Sequence, residues 1–111
     1  MKEVDMAKYL IQANYVGEGL KGLLKEGGSS RRAAVEKLFE SVGGKVEAFF
    51  YAFGDTDVFI IADLSDNVSA AALSLTVNAS GAATSKVTVL LTVEEIDKAA
   101  KKTVRYRAPG Q

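Results

Sequence analysis

The sequence predicts a single α+β domain: a βαββαβ sandwich on a four-stranded antiparallel sheet, with a short helix at the C-terminal end. Three observations predict it. Four segments carry β-branched and aromatic residues in two-residue alternation, and the two intervals that separate the first from the second and the third from the fourth show helical apolar spacing with caps. No Pro/Gly/Ser-rich linker divides the 111 residues, a length that supports one buried core and not two.

Residues 8–16, KYLIQANYV, alternate Tyr9, Ile11, Ala13 and Tyr15 against Leu10, Gln12, Asn14 and Val16 and form the first strand. Glycines 17, 19 and 22 then interrupt a stretch in which Leu20, Leu23 and Leu24 keep helical spacing, so a short irregular helix ending at Gly27-Gly28 is expected. Ser29 and Ser30 are N-cap types, and Val35, Leu38, Phe39 and Val42 follow at i, i+3, i+4 and i+7 before Gly43-Gly44 stops the helix.

The second strand, residues 45–53, sets Val46, Ala48, Phe50 and Ala52 on one side and Phe49, Tyr51 and Phe53 on the other. The third, residues 57–64, sets Phe59 and Ile61 against Val58, Ile60 and Ala62. Ser65-Asp66 caps a second helix with a stripe of Val68, Ala72, Leu75 and Ala79, ending near Gly81. In the fourth strand, residues 84–92, Val87, Val89 and Leu91 alternate with Lys86, Thr88 and Leu90. Thr92 and Glu95 then form a T-x-x-E capping box for a short helix closed by Lys98, Lys101 and Lys102, and the tail TVRYRAPGQ is read as an extended arm. This order is the split-βαβ, or ferredoxin-like, plan.

Composition narrows the function classes. Apolar residues at 48% and charged residues at 25% are far from the disordered corner of composition space. Fourteen basic residues balance fourteen acidic ones, so no net field draws the chain to nucleic acid or anionic lipid. The cations Lys98, Lys101, Lys102, Arg105 and Arg107 fit a solvated helix end. MKEVDMAKYL lacks the apolar run of a signal or membrane anchor, which points to the cytoplasm. With no cysteine and no histidine, disulfides, thiolate nucleophiles, Cys-ligated zinc and the usual neutral-pH base are all excluded, and neither cofactor nor metal is expected.

Strands two and three are apolar on both sides, although the plan puts both long helices on one face of the sheet. An uncovered face of Phe, Ile, Tyr and Val exceeds the few hundred Å² of apolar patch that monomers usually tolerate. The terminal helix is short and charged, so a second copy of the same sheet is the simplest cover. At about 25 cal/mol per Å², burial favours such a pairing even after association costs. A two-fold homodimer packed sheet on sheet is therefore expected.

Between those strands lies FGDTDVFIIADLSD, residues 53–66. Gly54 suits a positive φ, Asp55 suits a turn, and Asp57 can accept bonds from turn amides, so the segment reads as a structural hairpin. A cation site is the lesser reading, because Asp57 and Asp63 are six residues apart on one face and a hard cation wants about six oxygens. Better pointers to a pocket are Asn14 and Gln12 on an apolar strand, together with Tyr9, Tyr15, Tyr51 and Asp63, although buried amides often only satisfy neighbouring groups. GEGLKGLLKEGG lacks the spacing of a phosphate loop.

The runs MAKYLIQANYVGEGLKGL and RRAAVEKLFESVGGKVEAFFYAFGDTDVFIIADLSD, with the closing RYRAPGQ, resemble the GYD-domain proteins, small bacterial and archaeal members of the dimeric α/β-barrel superfamily. Their signature of glycine, any residue, tyrosine, aspartate falls in the hairpin; Gly54 and Asp57 match it, and Thr56 stands in place of the tyrosine. The resemblance implies a sheet-to-sheet dimer, with the domain over residues 6–104, an extension at 1–5 and a tail at 105–111. It implies no established activity, since proteins of this barrel fold include oxygenases, isomerases, haem-degrading enzymes and amino-acid-binding modules. The expected function is a homodimeric module that binds a small molecule or a partner, with Asn14, Tyr15, Tyr51 and Asp63 as lining. The alternative is a cofactor-independent oxygenase or isomerase using a cleft between sheet and helices.

Overall fold

The computed structural model describes residues 6–111; the extension expected at 1–5 lies outside the described residues. In chain order the elements are β1 (Ala7–Tyr15), α1 (Glu18–Glu40), β2 (Lys45–Tyr51), β3 (Val58–Leu64), α2 (Asn67–Ala79), β4 (Ala83–Leu90) and α3 (Val93–Ala100). The strands pair antiparallel in the order β2-β3-β1-β4. The ferredoxin-like α+β plan is the fold of this chain. No helix among the described residues is long and apolar enough to cross a membrane.

Register explains where the core sits. Ile11 lies opposite Ile60 on one side and Val87 on the other, while Tyr9 faces Ala62 and Val89. Alternation then turns Tyr9, Ile11, Val58, Ile60, Ala62 and Leu64 toward the helices, where Val35 and Phe39 of α1 and Ala70 and Leu73 of α2 close over them. Each of these side chains is removed from water, a gain of about 1.5–3 kcal/mol for a full-sized apolar residue.

α1 contains the expected break. Gly27 has φ 82° and ψ 168°, a conformation that a side chain would strain, and it divides an N-terminal half from the half that carries Val35 and Phe39. Helical hydrogen bonding resumes at once, so Ser29 and Ser30 sit inside the helix, and neither makes a capping bond among the described residues. The N-terminal half lies so close to the α2–β4 connection that a Cβ on Gly19 would collide with the Ala82 carbonyl oxygen.

Three expectations about orientation need correction. In β2, Val46 pairs with Ala62 and Ala48 with Ile61, so Glu47 is an extra residue in a bulge. The bulge turns Val46 toward the core beside Phe49 and leaves Ala48 and Phe50 on the opposite face. In α2, Val68 and Leu75 are 78% and 70% exposed, and the buried stripe is Ala70 and Leu73 with Val77 partly covered. This helix is apolar almost all round, so two stripes have helical spacing, and packing on β4 selects between them; Ser85 N–H donates to Asn78 Oδ1 at 2.7 Å and fixes the rotation. In the hairpin, Gly54 does not adopt positive φ. The loop is closed instead by Ala52 N–H donating to the Asp57 carbonyl at 2.8 Å.

The side of the sheet away from the helices is covered by no element among the described residues. Leu10, Phe59, Ile61 and Leu90 are half-buried there by their neighbours alone, and Phe50 is 68% exposed. Toward β4 the face turns polar through Thr84, Lys86 and Thr88, so the apolar band belongs to β2, β3 and the middle of β1. α3 keeps its predicted start, since Thr92 and Glu95 form the reciprocal capping box. None of its residues is buried.

Candidate functional site

Alternation along β1 separates the four residues expected to line one pocket. Tyr15 and Tyr51 point to the helix-covered face, whereas Asn14 and Asp63 point to the open one. Tyr51 pairs in register with Val58, which pairs with Ala13, so the two tyrosines converge at the same end of the sheet, beneath the kink of α1. There the Tyr51 hydroxyl donates to the Gly28 carbonyl at 3.0 Å. Gly28 permits this approach: a Cβ would meet the tyrosine ring at 3.1 Å. The ring also stacks edge-on against Phe49, with centroids 5.2 Å apart.

Burial raises the pKa of Tyr51 above its ordinary value, and the nearby Tyr15 hydroxyl adds to the rise while Arg31 opposes it. The Tyr51 phenol therefore keeps its proton at neutral pH and serves as a hydrogen-bonding group, not a base. Two clefts open on either side of Tyr15 and Leu23. One, of about 330 Å³, is walled by Leu20, Tyr51, Phe53 and Asp57. The other, of about 360 Å³, is walled by Glu26, Arg31, Leu38, Val77 and Ala83. Both volumes fall at the small-ligand end of the range for binding pockets.

Asn14 and Asp57 tie the hairpin to β1. The Asn14 amide donates to the Asp55 carbonyl at 2.9 Å and accepts from the Asp57 N–H at 2.8 Å. The Asp57 carboxylate accepts from the Tyr15 N–H at 3.0 Å, a strand amide and not one of the turn's own. Gln12 reaches the Thr56 hydroxyl at 3.3 Å. At the far end of the open face, Lys8 bonds Asp63 at 2.9 Å and also pairs with Glu47. Both carboxylates raise the Lys8 pKa, Glu47 more than Asp63. Tyr9 is buried in the core and donates to Asn67 Oδ1 at 2.7 Å, away from either cleft. Among the described residues no three acidic, histidine or cysteine side chains gather where they could hold a metal ion.

Sequence reasoning did not single out Arg31, yet Arg31 had a legible signal. It lies four residues before Val35 and seven before Leu38, on the core-facing stripe of α1 where an apolar side chain belongs. Comparison with curated proteins and with solved structures finds no match. The family model of the GYD domain matches residues 9–100, which takes in β1 from Tyr9, the other three strands, all three helices and the Gly54–Asp57 hairpin. The order of elements, the hairpin held to β1 and this match over most of the chain place the protein in the GYD domain family.

Proposed function

We propose that the chain acts as a homodimeric module that binds a small molecule, two copies packing through their open sheet faces. The observation that carries the dimer is the band of Leu10, Phe50, Phe59, Ile61 and Leu90 on a face that nothing in the described chain covers. A two-fold axis through the band would set like strands against each other and keep the Lys8–Asp63 end and the Asn14 end at its margins. α3 supports the same reading. Val93 and Ile96 on the helix, with Val104 and Tyr106 beyond it, are all exposed, and a second copy beside the sheet offers them a seat.

The ligand site in this reading is the pair of clefts around Tyr15 and Tyr51. They lie on the helix side, so sheet pairing leaves them open. Asn14 and Asp63 then border the dimer interface, and Tyr15 and Tyr51 remain as the residues offered to a ligand.

Sedimentation equilibrium at micromolar concentration tests the assembly. The expected mass is about twice the 11.8 kDa of one chain. Ile61→Lys, at the centre of the band, should return one-chain mass with the circular dichroism of the parent. A parent protein of one-chain mass overturns the dimer.

A further inference from the structure

Arg31 occupies a core-stripe position of α1 and is half-buried, yet among the described residues it makes neither an ion pair nor a side-chain hydrogen bond. Its neighbour Arg32 turns outward and meets Glu36 at 3.8 Å. Arg31 instead borders both the narrow gap between helices and sheet, about 60 Å³, and the larger cleft of about 360 Å³. A guanidinium is always charged, and removing part of its water without a carboxylate in bonding contact is costly. An anion entering that cleft would offset the cost with a two-pronged charge-assisted bond.

The rest of the cleft restricts what kind of anion fits. Leu23, Leu38 and Val77 make its walls apolar, and Tyr15 forms part of its floor. Glu26 lines the same cleft, five residues before Arg31 across the Gly27 break. Its carboxylate disfavours a second negative charge on the ligand. A phosphate or a dicarboxylate is thereby selected against, and so is a bare inorganic anion that would leave the apolar walls empty.

We propose that this cleft takes a small organic monocarboxylate, with its carboxylate on Arg31 and its apolar body against Leu23, Leu38 and Val77. The inference rests on the reading of the chain as a small-molecule-binding module and names the ligand class for that site. Glu26 sets charge selectivity, and Tyr15, standing between the two clefts, limits how far the body can reach toward Tyr51.

Isothermal titration calorimetry on the full chain tests it with benzoate and hexanoate against their neutral counterparts benzamide and hexanamide, and against phthalate as a dianion. The acids should bind about tenfold or more tightly than the amides, and phthalate should bind less well than benzoate. Arg31→Gln should reduce the acids to the level of the amides, Arg31→Lys should recover part of the difference, and Glu26→Gln should admit phthalate. The acid-to-amide comparison on the parent protein needs no variant to fold. Equal binding of acids and amides, or acid binding unchanged in a folded Arg31→Gln, overturns the proposal. Amides binding without acids would remove the monocarboxylate class and leave the ligand-binding reading standing. Silence from all five compounds would count against both.

Discussion

Asn14 uses both ends of its amide on the hairpin, one as donor to Asp55 and one as acceptor from Asp57, which leaves little of it for a ligand. Asn14→Ala would remove both bonds from the hairpin, leaving the Asp57 N–H only its bond to the Ala13 carbonyl at 3.1 Å. We expect a loss of about 1–3 kcal/mol in urea unfolding, with fold and assembly retained. Asp66 illustrates a residue whose role follows from chemistry one turn away. Its carboxylate accepts from the Ser69 N–H at 2.7 Å as the N-cap of α2, and that backbone bond lowers its pKa below the ordinary 3.8. The carboxylate's contribution is complete above that ordinary value and is lost as pH falls through the lower folded value. Asp66→Asn should therefore flatten the acid limb of stability measured by urea unfolding between about pH 5 and about pH 2.

Elements were legible wherever two independent signals agreed. The Thr92–Glu95 box set the start of α3, and Val35 with Phe39 set the buried side of the second half of α1. α2 shows why one signal is insufficient. Val68–Ala72–Leu75–Ala79 and Ala70–Leu73–Val77 are both spaced for a helix face, and an alanine-rich surface gives neither a decisive advantage. Only contact with β3 and β4 chooses, and it buries Leu73 while Leu75 faces outward. Leu73→Ala should cost about 2–5 kcal/mol. Leu75→Ala should stay within about 0.5 kcal/mol, apart from a small helix-propensity gain. Chemical denaturation of the two variants distinguishes the rotations. The bulge at Glu47 is a comparable case in β2, since alternation counted on one strand cannot register an extra residue that appears only against β3.

The whole molecule is more extended than its core requires. Its Cα radius of gyration is 17.3 Å, against about 13 Å for a compact chain of roughly this length. The excess fits the C-terminal arm, in which every residue from Leu91 to Arg107 is exposed. An amphipathic capped helix with no buried residue, beside a sheet whose open face carries an apolar band, is the arrangement that the proposed homodimer would complete. Ile96→Lys should weaken the proposed dimer in sedimentation without altering the circular dichroism, because Ile96 is 50% exposed and outside the core of its own chain. If that substitution leaves the dimer constant unchanged, the arm takes no part in the assembly.

Composition and periodicity by themselves determined the order of elements, the N-caps of α2 and α3, the break at Gly27 and the two-sided apolar character of β2 and β3, because each depends on neighbours within a few residues. The hairpin motif also pointed to the family. Tertiary structure alone decided which side of α2 is inside, where the bulge falls, and how the expected site residues divide: Tyr15 and Tyr51 go under the helices and Asn14 and Asp63 to the open face. It alone showed Arg31 at a cleft wall with no ion pair among the described residues. These outcomes depend on pairing and packing between segments distant in sequence, and no local pattern carries that information.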